Sequence, residues 1–463
     1  MIVKTIKYTS LLLLFVFANC TTNSKEDTTY FGGRIINPKS DHVILYSLDK
    51  AIDTFLLDKK NNFIGEIKNA KEGLYYFAHG TENQFIYLEP KDSLMLRLNT
   101  WDFDESLVFA GKGAERNNIL IDCFLQDEKD NRTFYELNRL NPALFEKKID
   151  SLLNLKLKTY NNYVQNHINE TNGFNSILNV ALTYPLYARK ERYPERYAYY
   201  KGVNKFPELS SNFYKHREKI NTSRDSLMYY YPYSNYIRNY LYNLTYSLGH
   251  PPMTKEYSSK FTIDLLNTID KKIESEESKN AFLKQTVIEH FYRKSSCNVN
   301  EEPFNKFFEL SSNKEDKIRL NNLLNDNKAI HKGKPIKEFE IKNLSNGEHS
   351  IKDVLKDKPT FLFFWNPKFV SKGYVSSRIK YLSNKYSNIQ FLLIKIDGDN
   401  TDRINNLDIK TQYFIDKNSK ANSFLTSKMP RVILINKDGI VENGYASISS
   451  KKIYSQLDNL NKK

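Results

Sequence analysis

The sequence predicts a multidomain α+β chain with three folded regions: β-sandwich-like over 30–112, helical over 113–332 and α/β over 333–463. Three observations carry this reading. Short runs of aromatic and β-branched residues, separated by turn residues, fill the first region. Apolar residues recurring at helical spacing fill the second. In the third, strand-length runs that are apolar throughout alternate with one-faced amphipathic stretches. A chain of 463 residues holds about two to four domains at ~100–200 residues each. With 40% hydrophobic and 27% charged residues it can bury real cores. A mean hydropathy of -0.60 excludes a polytopic membrane protein. Three cysteines exclude a disulfide-framework fold.

In the first region the apolar runs fall at 43–46, 55–57, 74–77, 85–88 and 94–98. Lys60-Asn61-Asn62 reads as a turn, and Pro90 with Asp92 as a hairpin turn. In the second, Phe145, Ile149, Leu152 and Leu153 follow Pro142, a residue suited to a helix start. Tyr233, Ile237, Tyr240, Leu241, Leu244 and Leu248 form a stripe, and Gly249 with Pro251 and Pro252 stops that helix. Phe261, Leu265, Leu266 and Ile269 make another stripe. Cys123 reads as a small buried hydrophobe.

In the third region, 360–365, 389–394 and 432–436 read as buried strands. Val375, Ile379, Leu382 and Tyr386 share one helix face, a turn falls at Lys437-Asp438-Gly439, and a last helix covers 453–460. The order β-α-β followed by β-β-α is the thioredoxin topology.

From Gly333-Lys334-Pro335-Ile336 through Phe339, Asn346-Gly347 and 351–355 to Phe364-Trp365, the chain resembles the TlpA/ResA family of periplasmic thiol-disulfide oxidoreductases. Met429-Pro430 stands where that family carries a cis-proline. The segments 87–93 and 109–118 resemble the β domain that often precedes this module in lipoproteins of the family. The resemblance implies a thioredoxin-like domain over 333–463 and, taken alone, disulfide exchange.

The departure from the family bears on chemistry. Laid out from Phe364-Trp365, the two cysteine positions of the family fall on Phe369 and Lys372. Disulfide exchange needs an attacking thiolate, and no cysteine follows Cys297. No catalytic residue is therefore assigned. The binding candidates are Trp365, Phe369, Val370, Met429 and Pro430, because the proline loop can still hold an extended peptide. Nothing points to a metal or cofactor. The eight histidines make no HxxxH or HxH pair and read as surface or capping residues. There is no phosphate loop and no GxSxG.

The N-terminus reads as an address. Lys4 and Lys7 precede a short apolar run, 11–17, that ends in Phe17-Ala18-Asn19-Cys20. This resembles a bacterial lipoprotein signal over 1–20, with Cys20 as the lipidated residue and 21–29 as a polar tether. It implies a membrane partner through the lipid and a place in the cell envelope, on the periplasmic side of the outer membrane. The net charge is +15. From Lys334 onward 23 basic residues stand against 13 acidic ones, spread singly, so the charge reads as a solvated surface and no nucleic-acid partner is expected.

The first functional reading is a redox-inactive binding or scaffolding lipoprotein whose partner is an extended peptide or envelope protein. Alternatives are a thiol-disulfide oxidoreductase and a glycan-binding lipoprotein. The last would use the tyrosines crowded at 184–200 and 229–236, although helix packing is the favoured account of them. The sequence leaves open whether Cys123 and Cys297 pair. If Cys20 is the lipidated residue, Cys20→Ser releases the protein from membranes or blocks its processing. Unchanged fractionation together with unchanged mature mass counts against the anchor.

Overall fold

The computed structural model describes residues 28–462 except 253–257, 294–298, 356, 368, 397, 399–400, 420 and 423–429. Cys20, Cys297, Met429 and the expected signal segment lie outside the described residues. The chain divides into two compact units, one running to Arg189 together with Tyr229–Tyr236, the other Lys190–Met228 with Ile237–Lys463.

The first unit opens with eight strands: β1 (Thr29–Ile36), β2 (His42–Ser47), β3 (Lys50–Leu56), β4 (Asn62–Ile67), β5 (Gly73–His79), β6 (Glu82–Leu88), β7 (Ser93–Asn99) and β8 (Val108–Lys112). They form two four-stranded sheets, ordered β4-β1-β7-β8 and β3-β2-β5-β6. Alternate residues of each sheet turn inward and share one core. Phe31 of the first sheet meets Phe55 and Phe77 of the second, at ring separations of 5.9 and 5.8 Å. Both sheets are antiparallel except that β1 runs parallel to β7.

Helices α1 (Ala114–Leu137) and α2 (Pro142–Asn166) follow. Pro142 opens α2 as expected, with Asn141 capping it. The link between sandwich and α1 is a buried ionic lock. Arg116 donates both bonds of one amino group to Asp92, at 2.7 and 2.8 Å, and also pairs with Glu89 and Glu170. Burial works against the Arg116 charge, and Asp92, Glu170 and Glu89 together overcome it and hold the guanidinium protonated. Beside it, Asn117 exchanges two hydrogen bonds with the Tyr87 backbone, at 2.7 and 2.9 Å. Gly113 caps α1 at φ 94, and a Cβ there would stand 2.8 Å from the Asp92 carboxylate.

The other helices are α3 (Asn172–Lys201), α4 (Tyr231–Tyr246), α5 (Ser259–Lys272), α6 (Glu276–Arg293), α7 (Glu302–Leu310) and α8 (Lys314–Ala329). The α5 stripe is buried as expected. Leu248 is corrected: α4 ends at Tyr246, and Leu248 lies beyond it, exposed.

The C-terminal sheet has seven strands: β9 (Glu340–Asn343), β10 (Glu348–Ser350), β11 (Thr360–Trp365), β12 (Gln390–Lys395), β13 (Gln412–Phe414), β14 (Arg431–Ile435) and β15 (Val441–Ala446). Its order is β10-β9-β13-β12-β11-β14-β15. The short α9 (Ile351–Val354), then α10 (Lys372–Lys385) and α11 (Lys452–Asn461), complete it. Strand β11 runs parallel to β12 and antiparallel to β14, and β14 antiparallel to β15, through two register shifts. These orders and directions are those of the thioredoxin topology. On one face, Phe361, Phe363 and Trp365 pack with Val375, Ile379 and Leu382 of α10. On the other, Leu362 and Phe364 pack with Ile336, Phe339 and Ile341. Within this unit, Arg431 of β14 is fully buried and paired with buried Asp326 of α8. The Arg431 guanidinium lies 4.6 Å from the centre of the Tyr445 ring.

Removing the cation of the first unit should be severe, because it strands a buried carboxylate. Arg116→Met is expected to cost about 3–5 kcal/mol, read as a lower urea midpoint of the unit that contains it. Adding Asp92→Asn should recover part of that loss. A loss below about 1 kcal/mol would overturn the assigned role.

Candidate functional site

The site expected from the sequence lies where β11 passes into α10. Trp365 ends β11, 2% exposed, opposite Lys395 in the ladder with β12. The chain then turns on Asn366. Its backbone oxygen accepts from the N–H groups of Phe369 and Val370, at 3.0 and 3.3 Å, and its side chain donates to the Ile396 carbonyl at 3.0 Å. Ser371 caps α10 by accepting from the Tyr374 N–H at 3.3 Å, so the helix opens at Lys372.

The candidates separate on this frame. Phe369 precedes the cap and is 62% exposed. Val370 packs against the cluster that contains Trp365. Trp365 is corrected: its ring belongs to the core and presents no binding surface. Pro430 is half-buried and adjoins Arg431, which pairs with Phe364, so the ladder brings it beside the end of β11. Met429, named with it, lies outside the described residues.

Lys372 sits in the first turn of α10, where the helix dipole opposes a cation. Asp402 offsets this by accepting from Lys372 at 2.9 Å and from Lys395 at 2.9 Å. The hydrogen bonds from Lys395 and then Lys372 hold the Asp402 carboxyl below its ordinary range. The sequence carries no local signal for Lys395 or Asp402, because they reach the site from a neighbouring strand and from a loop thirty residues past Lys372.

The two expected cysteine positions, Phe369 and Lys372, thus hold an exposed apolar ring and an ion-paired ammonium. Cys123 is buried in α1 of the other unit, and burial pushes its thiol up to about 12. No group of three metal-ligating side chains occurs among the described residues. His79 and His290 correct the surface assignment: both are 1% exposed. His79 accepts from the Lys39 N–H at 2.9 Å, and His290 lies 2.7 Å from the Thr262 hydroxyl. Of the crowded tyrosines, Tyr184, Tyr193, Tyr230, Tyr233 and Tyr236 are buried, as helix packing requires. No helix among the described residues is long and apolar enough to cross a membrane.

No family model matches the chain, and no curated protein matches it. Solved structures similar to it are thiol-disulfide oxidoreductases and thioredoxin-like proteins. One, assigned as a thiol-disulfide oxidoreductase from Bacteroides vulgatus, is 25% identical and covers 28% of this chain and 97% of its own, with a TM-score of 0.25. Another, assigned as the thiol:disulfide interchange protein DsbE from Chlorobium tepidum, is 17% identical over 28% of this chain and 99% of its own, at 0.24. A thioredoxin-like protein from Bacteroides caccae is 16% identical over 57% of this chain and 94% of its own, at 0.32.

Two outcomes follow from the geometry. Phe369→Asp should leave stability within about 0.5 kcal/mol of the parent, since the ring is exposed. A larger fall in melting temperature would show that Phe369 is structural. Because the folded Asp402 value is depressed, its ion pairs add stability above the ordinary carboxylate range and lose it as pH falls through the folded value. Asp402→Asn should therefore cost under about 1 kcal/mol near neutral pH. The two melting curves should converge in acid.

Proposed function

We propose that the chain is a lipid-anchored cell-envelope protein whose thioredoxin-like portion binds a partner in place of exchanging disulfides. The observation that carries the reading is Phe369. At the position of the family's attacking sulfur stands a ring 62% exposed, next in the chain to Val370 and just past β11, whose Phe364 pairs with the first residue of β14, Arg431. An apolar side chain held outward on a hydrogen-bonded turn suits contact with an apolar side chain of an extended partner segment. The lipoprotein part of the proposal rests on Lys4, Lys7, the apolar run and Cys20.

The oxidoreductase alternative predicts thiol chemistry from a domain whose sequence holds no thiol. The glycan alternative is weakened by the burial of five of its tyrosines. Insulin reduction tests the first choice. Purified mature protein is expected to show no dithiol-dependent rate above buffer. A rate that survives clean preparation and disappears in Cys297→Ser overturns the binding reading. For the binding face, a photo-cross-linking residue in place of Phe369 should give a discrete adduct in cells. The same residue at exposed Tyr381 should not.

A further inference from the structure

The first unit encloses a cavity of about 380 Å³ with no counterpart in the site above. That is within the range of small-molecule pockets, ~300–1,000 Å³. Four stretches of chain line it: the start of β6, the middle of α1, the middle of α3 and the residues that open α4. Its aromatic walls are Phe85, Phe124, Tyr230 and Tyr231, and its charged lining is Asp127 and Glu128. No lysine, arginine or histidine lines it, although the chain as a whole carries +15.

The two carboxylates are not equivalent. Asp127 is neutralised by Arg189, at 2.7 Å. Glu128 is exposed and forms no ion pair among the described residues. A second, independent feature points inward. Tyr230 is 6% exposed, yet its hydroxyl has no hydrogen-bond partner among the described residues. Burial above all, with the Cys123 sulfur and the Asp127 carboxylate of the same lining beside it, keeps its hydroxyl protonated and able to donate. A phenol in a cavity wall with no partner of its own is available to a bound molecule. The surroundings of the lining are acidic as well. Gln84, in the lining, donates to Asp104 at 2.8 Å. Burial, and then the charges of Glu128, Glu105 and Glu82, push the Asp104 carboxyl up against that hydrogen bond.

We infer that this cavity binds a small organic cation with an aromatic body, an aryl-alkyl amine in chemical class. The aromatic walls take the ring and attract the ammonium through their π faces. Glu128 supplies the countercharge, and Tyr230 a hydrogen bond. An anionic ligand would face Glu128 while the nearest cation, Arg189, is already held by Asp127, and a neutral one would leave the Glu128 charge unused.

The test uses the full mature protein and an isosteric series in calorimetry: tryptamine, its neutral alcohol tryptophol and its anionic analogue indole-3-acetate. Tryptamine is expected to bind saturably and to weaken with salt, with tryptophol and indole-3-acetate roughly tenfold weaker or more. Glu128→Gln is expected to weaken tryptamine roughly three- to tenfold and to leave tryptophol unchanged. Tyr230→Phe, which removes one oxygen from the wall, should weaken tryptamine by about threefold. Unchanged melting curves establish that both variants are folded. No saturable tryptamine binding, equal binding of tryptophol, or an unaffected Glu128→Gln would each overturn the inference. Preferential binding of a neutral sugar such as glucose would assign the cavity to carbohydrate instead.

Discussion

A single buried guanidinium ties together the pieces of the first unit. Arg116 leaves α1 and reaches Asp92 and Glu89 in the turn before β7, and Glu170 just ahead of α3. Three carboxylates around one cation would be unfavourable alone. Their remaining lone pairs are satisfied from nearby: the Glu89 N–H donates to Asp92, Tyr163 to Glu170 and Thr171 to Glu89. A buried ion pair of this kind adds little net stability over an apolar substitute, yet it penalises every arrangement that leaves one member alone. The sandwich, α1 and the loop before α3 are thus held in one register. The walls of the α1-lined cavity inherit their positions from it.

The core of the C-terminal sheet depends on no thiol. Strand β11 and helix α10 are held by Phe361, Phe363, Trp365, Val375, Ile379 and Leu382. None of these contacts needs a thiol. The turn at Asn366 and the cap at Ser371 likewise form from amide and hydroxyl groups. Phe369 and Lys372 stand outside this core, so function has to be argued from the side chains themselves and not from the fold.

Much of this was legible from residue order. The run 360–365 coincides with β11 because a central strand covered on both faces has no polar alternation to blur its ends. The α10 face was readable because its buried residues keep helical spacing. Strand β1 was not readable: Gly32 and Gly33 interrupt its apolar run, and a Cβ on Gly32 would stand 2.7 Å from the Phe63 carbonyl. The motif around 109–118 was visible as a resemblance, but its role as the partner of 87–93 depends on a contact across 24 residues. The cavity had no linear signal at all, since its lining is drawn from segments about 150 residues apart.

The seven-stranded sheet closes its two margins differently from its centre. One margin is β10, three residues long. The other is β15, whose pairing slips twice along β14. Short and bulged margins make poor templates for an added strand. Self-association by edge pairing, the hazard of an open sheet, is thereby disfavoured. The exposed ring of Phe369 stands instead past the end of a strand, β11, where no ladder hydrogen bond is on offer.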